Sequence, residues 1–404
     1  MERKKQCGMH PALARALVIT RHRRDAQCGV MKILFVNNFR GRGGGEEFLR
    51  DLLPGLAAKG VRVGLVCRPG TPLVDMFSGS DITLHPIKRS GLSTISAVFK
   101  TATVIKTGGY EIIDIQRGHD IIQSWLGALL SGKRPVLMYT PQVPEFIRSR
   151  FLLSRMKRIV TISRHIRDRI VSYFPKIGTR TSIIYYGIDL NRFKPENIRR
   201  GTIRGRFGLP PDTRIIGTVG DLWKNQVEFL DALVLIRKEI PGTRFALVAS
   251  ASGTGQIDVF KQRAAELGLT EAVLWTGRLS KEDMLSFYAD IDVAVSTHRN
   301  EGFGIWVLEA LAVGTPMVSV NEGGIRDSLE GCPAGVLVDG GPEHMAAAVI
   351  EILKNPSQHA GMAGAGPKWT AERYSRERMI DDYFRFFQSL AVMPRGIINQ
   401  GRSS

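Results

Sequence analysis

The 404-residue chain is 43% hydrophobic, which is enough apolar material for two cores and too much for one, so two domains with a cleft between them are expected. Its net charge of +18 is uneven, with 26 Lys/Arg against 12 Asp/Glu over residues 31–196 and 23 against 24 over residues 197–404. The first half is therefore expected to face something anionic: a phospholipid surface, an acidic glycolipid or nucleic acid. No apolar run reaches the roughly 18 to 20 residues of a membrane-spanning helix. Four scattered cysteines (Cys7, Cys28, Cys67, Cys332) suggest neither a disulfide framework nor a zinc site.

In chain order, residues 1–30 show no periodic pattern and read as a basic extension, either disordered or produced by an upstream start in place of Met31. Arg15 interrupts their apolar stretch and Arg21-His-Arg-Arg24 follows it, so an export signal is not expected. Met31-Lys-Ile-Leu-Phe-Val36 reads as a buried first strand, followed by the glycine loop Gly41-Arg-Gly-Gly-Gly45, a helix over 46–59 and a strand over 61–67, which together form one βαβ unit. Strands over 111–115, 135–139, 158–162 and 181–185 complete a doubly wound half. The segment 146–158 interleaves five basic residues with an apolar set, as in a helix lying on an anionic lipid surface or an ordinary surface helix.

The polar stretch 191–208 reads as a linker, after which the pattern restarts with strands over 215–220, 244–248, 273–276, 293–296 and 317–320 and a helix over 227–239. An amphipathic segment, 376–390, presents Met379, Ile380, Tyr383, Phe384 and Phe387 on one face and needs a surface to cover. The expected partition is a 1–30 extension, a 31–196 domain, a 197–370 domain, a 371–391 helix and a 392–404 tail.

Two motifs carry chemistry, and a third only mimics one that does. The glycine loop ends at a helix N-terminus suited to phosphate, although Glu46 at its last position departs from the dinucleotide fingerprint. In Glu301-Gly-Phe-Gly-Ile-Trp-Val-Leu-Glu309, two glycines permit an irregular backbone beside a ligand, and Glu309 falls inside an apolar helix. A buried carboxylate costs several kcal/mol without a partner, and ribose hydroxyls would suit it. Asp290-Ile-Asp292 mimics a metal-binding pair, but its first Asp ends a helix and its second opens a buried strand.

Ser296 through Pro316 resembles the signature of the retaining GT-B glycosyltransferases of family 4, in which E-x7-E precedes A-x-A/G-x-G-x-P. Gly44-Gly45 with Glu47, Gly187 to Phe193, Trp275-Thr-Gly277-Arg278 and Tyr288 to Asp292 resemble further landmarks of that family, in the family's order, over roughly residues 31–390. The resemblance implies an α/β fold of two Rossmann-like domains facing a central cleft, with acceptor bound to the first domain, donor to the second, and the last helix crossing back to the first domain.

It further implies transfer of a hexose from a UDP- or GDP-sugar, without a metal or other cofactor, to a lipid-linked or polysaccharide acceptor of the cell envelope. By the same resemblance Lys224 holds the leaving diphosphate, Glu301 binds the hexose and Glu309 the ribose. Phe303, Gly304 and Ile305 contribute backbone near the sugar and diphosphate, Gly44 and Gly45 form the phosphate loop, and Arg278 belongs to the base loop. In Gly220-Asp-Leu-Trp-Lys224, Asp221 stands where the family has arginine and the loop is short, so Arg40 or Arg42 is a candidate for the missing cation.

Where the family often has a histidine, this chain has Asp114, Gln116 and Gln142, with His119 nearby. A front-face mechanism in which the departing phosphate takes the acceptor proton needs no strong base. The partners implied are a nucleotide-sugar, a glycolipid or saccharide acceptor and an anionic membrane surface, without nucleic acid, in the cytoplasm or on the inner membrane face. The alternatives are a catalytically silent GT-B protein on a membrane surface and a nucleotide-sugar epimerase.

Overall fold

The computed structural model describes residues 30–41, 43–89, 93–249 and 256–391. The expected extension up to residue 29, the tail from 392 and Arg42 lie outside the described residues. Two all-parallel sheets organise the chain. The first runs β3-β2-β1-β4-β5-β6-β7 and is built from β1 (Lys32–Asn37), β2 (Arg62–Cys67), β3 (Thr83–Pro86), β4 (Ile112–Ile115), β5 (Val136–Tyr139), β6 (Arg158–Thr161) and β7 (Thr181–Ile183). The second runs β10-β9-β8-β11-β12-β13 and is built from β8 (Ile215–Val219), β9 (Arg244–Val248), β10 (Val273–Trp275), β11 (Val293–Ser296), β12 (Met317–Val320) and β13 (Gly335–Val338).

Parallel strands covered on both faces must be apolar throughout, and Ile33 to Val36, Ile112 and Ile113, Phe245 to Leu247 and Val293 to Val295 are all buried. The arrangement is the two-domain α/β GT-B fold. Two edge strands, β3 and β13, are not anticipated by the sequence reading. The first is four residues long and ends in Pro86, and the second is four residues long and starts at Gly335, just after Pro333-Ala334, so neither offers a run long enough to stand out.

Six helices matter below: α1 (Gly44–Ala58), α2 (Ser93–Gly108), α3 (Ile121–Leu130), α4 (Arg164–Tyr173), α5 (Ile305–Val313) and α6 (Arg376–Ala391). The amphipathic helix expected over 146–158 is only Arg150–Ser154, with Ser149 as its N-cap. Pro144 lies just upstream, and at Met156 the chain is already turning into β6, so the charge and apolar alternation there belongs to loop and strand.

The chain passes between the domains twice, at one place. Ile188 bridges Ser375, with Ile188 N–H donating to the Tyr374 carbonyl and Arg376 N–H to the Ile188 carbonyl, both at 2.8 Å. Gly187 permits this approach, since a Cβ there would lie 2.1 Å from the Ser375 carbonyl oxygen. Helix α6 then lies on the first domain. Ile380 fills the space above Gly55, Tyr383 meets Phe48 at 5.4 Å between ring centroids and Phe387 meets Phe35 at 6.0 Å. That is the surface its apolar face required.

A candidate donor site at the edge of the second sheet

After β8 the chain turns through Gly220, at φ +139°, into a short 3-10 turn, Leu222–Lys224. Asn225 follows with φ +64°, and its carbonyl accepts a hydrogen bond from Thr297 Oγ1 at 2.8 Å. This pins the turn to the loop after β11, the neighbouring strand in the sheet. Lys224 Nζ thereby reaches Glu301 Oε2 at 2.7 Å, and both side chains keep partial exposure (21% and 15%). A desolvated pair would be expensive to open, whereas this one remains within reach of water and of a ligand.

The Glu301 loop is held by glycine against glycine. Gly324 N–H donates to the Glu301 carbonyl at 2.7 Å, and a Cβ on Gly324 would fall 2.0 Å from the Gly302 carbonyl oxygen. Gly304, at φ +82°, turns the chain into α5. Across the cleft, α1 starts at Gly44, whose Cβ position is 3.6 Å from Ile305 Cδ1. Neither helix receives a side-chain cap, so two N-termini with unsatisfied N–H groups face the same space. Two positive dipole ends and a lysine are a good environment for a diphosphate.

Glu309, one turn into α5, does not lack a protein partner as its apolar setting suggested. Tyr288 Oη donates to its Oε2 at 2.9 Å and Arg192 lies 3.6 Å from Oε1. Burial raises its carboxyl above the ordinary range, opposed by Arg192 and the Tyr288 hydrogen bond. Its side chain is still 19% exposed. The Phe303 side chain is buried among Tyr185, Tyr186 and Tyr374, so only its backbone borders the site.

Other expected residues fall elsewhere. Arg278 is exposed after β10, an edge strand separated from β11 by β9 and β8. At about 4.8 Å per strand, that is about 14 Å from the Glu301 end of the site. Arg40 is exposed on the first loop, and His119 is exposed beside Asp120. The buried carboxylate of the glycine loop is Glu46, which accepts from Asn37 and Arg117 at 3.0 Å, while Glu47 pairs with Arg50 and, across the cleft, Lys281. Asp290 caps the backbone at Gly201 and Ile203, and Asp292 binds Arg214 and the Ile215 N–H, so both are spent on structure.

Sequence reasoning passed over His298 in the Thr297–Asn300 loop. It is buried, and burial lowers its imidazole below the usual range, opposed by Glu301. It also passed over Gly323-Gly324, whose signal was a glycine pair in the loop two residues beyond a strand. Among the described residues, no group of three or more His, Cys, Asp or Glu is arranged to hold a metal, and no helix is long and apolar enough to cross a membrane.

Comparison with known proteins adds a second line of support. The family model "Glycosyltransferase Family 4" matches residues 42–192, and "Glycosyl transferases group 1" matches residues 199–369. The chain is 31% identical over 228 residues to the D-inositol 3-phosphate glycosyltransferase of Corynebacterium urealyticum, a match covering 53% of this chain and 52% of that protein. It thus spans about half the length of that relative. Against the GDP-mannose-dependent alpha-(1-6)-phosphatidylinositol monomannoside mannosyltransferase of Mycobacterium tuberculosis it is 25% identical over 381 residues, covering 85% of this chain and 94% of that one. Among solved structures, Anabaena Alr3699/HepE in complex with UDP and glucose superposes with a TM-score of 0.74 at 19% identity, covering 89% of this chain and all of that one.

Proposed function

Because the chain belongs to the glycosyltransferases described by these two family models, we propose that it moves a hexose from a UDP- or GDP-sugar, with retention, to a lipid-linked or polysaccharide acceptor of the cell envelope. The observation that carries the reading is the accessible Lys224–Glu301 pair between two uncapped helix N-termini. Departure of a nucleoside diphosphate concentrates negative charge, which Lys224 and the N–H groups at Gly44, Gly45 and Ile305 are suited to receive without a metal. The diphosphate competes with Glu301 for Lys224, and the freed carboxylate accepts hydrogen bonds from hexose hydroxyls. Glu309, already oriented by Tyr288 and Arg192, accepts from the ribose. The distance from this centre to Arg278 suits a nucleotide lying extended along the sheet edge, with its base near Arg278. UDP and glucose in Anabaena Alr3699/HepE and GDP-mannose dependence in the mycobacterial relative support a nucleotide-sugar donor.

A membrane-borne acceptor is supported by an apolar face on the basic domain. Ile95 and Phe99 of α2 and Leu129 and Leu130 of α3 are more than half exposed, and α2 packs against α3. Phe151, also exposed, packs against Trp125 of α3 at 5.4 Å between ring centroids, with the Arg155 guanidinium 4.4 Å from its own ring centroid. Apolar side chains beside a cation suit the boundary of an anionic bilayer, which supports a peripheral position on an inner membrane face. Incubation with a panel of UDP- and GDP-hexoses, with the anomer of the product read by NMR, tests the transfer reading. Donor turnover in the wild type that falls about 100- to 1000-fold in Lys224→Ala supports it. Absence of turnover and binding for every nucleotide-sugar, or full turnover in the variant, refutes it.

A further inference from the structure

A cavity of about 610 Å³ opens between the domains beside the Asn300–Glu301 loop. The first domain contributes Phe146, Arg148, Arg169 and Tyr173 to its walls, and the second contributes Gly323 and Arg326. The cavity adjoins the centre described above, since the Cβ position of Gly323 is 3.0 Å from Glu301 N, and His165 and Arg169 reach Asn300 Oδ1 at 3.0 and 3.3 Å.

The charges lining it do not cancel. Arg164 is bound to Asp327 and Glu330 across the domain boundary. Glu322 is held by Arg299 and Asp168 by Arg167, so the acidic side chains of the lining already have cations. Arg169 donates to a neutral amide, Arg148 is exposed, and Arg326 has only a 3.7 Å contact with Glu330 on its own helical turn. No ion pair among the described residues neutralises Arg148 or Arg169. Cations gathered without counter-charges raise the local anion concentration, and guanidinium groups fit phosphate oxygens two at a time. Phe146 and Tyr173, whose ring centroids are 5.7 Å apart, supply an apolar flank for the face of a sugar ring.

We propose that this cavity binds a phosphate group carried on the acceptor saccharide, with Arg148 and Arg169 from the first domain and Arg326 from the second around it, so that the acceptor hydroxyl lies next to the Glu301 centre. The inference rests on the transfer reading and specifies its acceptor as a phosphorylated saccharide, either free or as a lipid headgroup. Because residues of both domains line the cavity, acceptor binding also favours the closed cleft.

Isothermal titration of the full chain with glucose 6-phosphate and with glucose, without donor, tests the site. Tighter binding of the phosphorylated sugar by at least about tenfold is expected, consistent with charge-assisted hydrogen bonds from arginine. The double variant Arg148→Gln/Arg169→Gln removes that difference, and Arg148→Lys/Arg169→Lys retains part of it. Equal affinity for the two sugars in the wild type, or a preference that survives both glutamines, overturns the proposal. If the glutamine variant does not fold, a salt titration of the wild type replaces it, and a preference indifferent to salt overturns the site. Titration with UDP and GDP on the same wild-type sample tests the transfer reading separately. Displacement of glucose 6-phosphate by phosphatidylcholine vesicles containing phosphatidylinositol, but not by phosphatidylcholine alone, assigns the phosphate to a lipid headgroup, and absence of displacement assigns it to a soluble saccharide.

Discussion

Replacing Asp114 by asparagine is expected to stabilise the protein at alkaline pH. Asp114 is fully buried on β4, where its Oδ1 accepts from Thr140 Oγ1 at 2.6 Å and its Oδ2 has no partner. Tyr383 Oη of α6, whose titration the Asp114 charge also raises, likewise has no partner. Burial pushes the carboxyl from 3.8 to about 7, against the hydrogen bond from Thr140. Since the folded value lies above the unfolded one, the group contributes stability that is fully present below pH 3.8 and lost as the pH rises through about 7. The interval corresponds to about 4 kcal/mol, a ceiling because the added amide must itself find a partner. Asparagine keeps the acceptor for Thr140 and carries no charge to bury, so Asp114→Asn should match the wild type near pH 4 and exceed it at pH 8. For a domain of this size the midpoint should rise by about 16 °C at most. Scanning calorimetry and urea titration at both pH values measure this. A variant whose stability follows the same pH slope as the wild type between pH 4 and 8 refutes the reasoning.

Gly324→Ala places a methyl group against the Gly302 carbonyl and should displace the Glu301 loop, so turnover should fall further than melting temperature, as paired kinetic and melting measurements will report. Tyr288→Phe removes the neutral donor to Glu309 and should weaken nucleotide binding by about 1 kcal/mol, read by titration with UDP or GDP. Burial holds the His298 imidazole below 6.5, so its contribution to stability is present above that value and lost as the pH falls through the folded value; His298→Gln should flatten the acid limb of the stability profile. Phe99→Ser with Phe151→Ser should reduce co-sedimentation with anionic vesicles while leaving donor hydrolysis in solution intact.

Much of the architecture was legible because central parallel strands must be apolar on both faces, and runs such as Ile33 to Val36 and Val293 to Ser296 have no other use. Their alternation with glycine loops gave the two halves and the restart at Ile215. The segment 146–158 misled because charge interleaved with apolar residues has the same look in a helix as in a loop leading into a strand. The exposed apolar face lies instead on α2 and α3, where Thr, Ser and Ala between the large side chains diluted the pattern. At the site, local order revealed Glu301, Glu309 and the glycines, but pairing is not a local property. Glu309 meets Tyr288 and Arg192, 21 and 117 positions upstream, and Lys224 meets Glu301 only because β8 and β11 are neighbours in the second sheet.

The double passage at Ile188 and Ser375 has a mechanical consequence. Two connections at separated points would resist rotation in most directions, whereas two strands bonded side by side form a single pivot. The domains can then swing as levers while the dihedral change is confined to a few residues around Gly187 and Ser375. Small angular steps at that pivot are felt at the pairs that cross the cleft, Lys281 with Glu47 and Arg164 with Asp327 and Glu330. These pairs join side chains on or beside helices, so opening them leaves the strand pairing within each sheet intact.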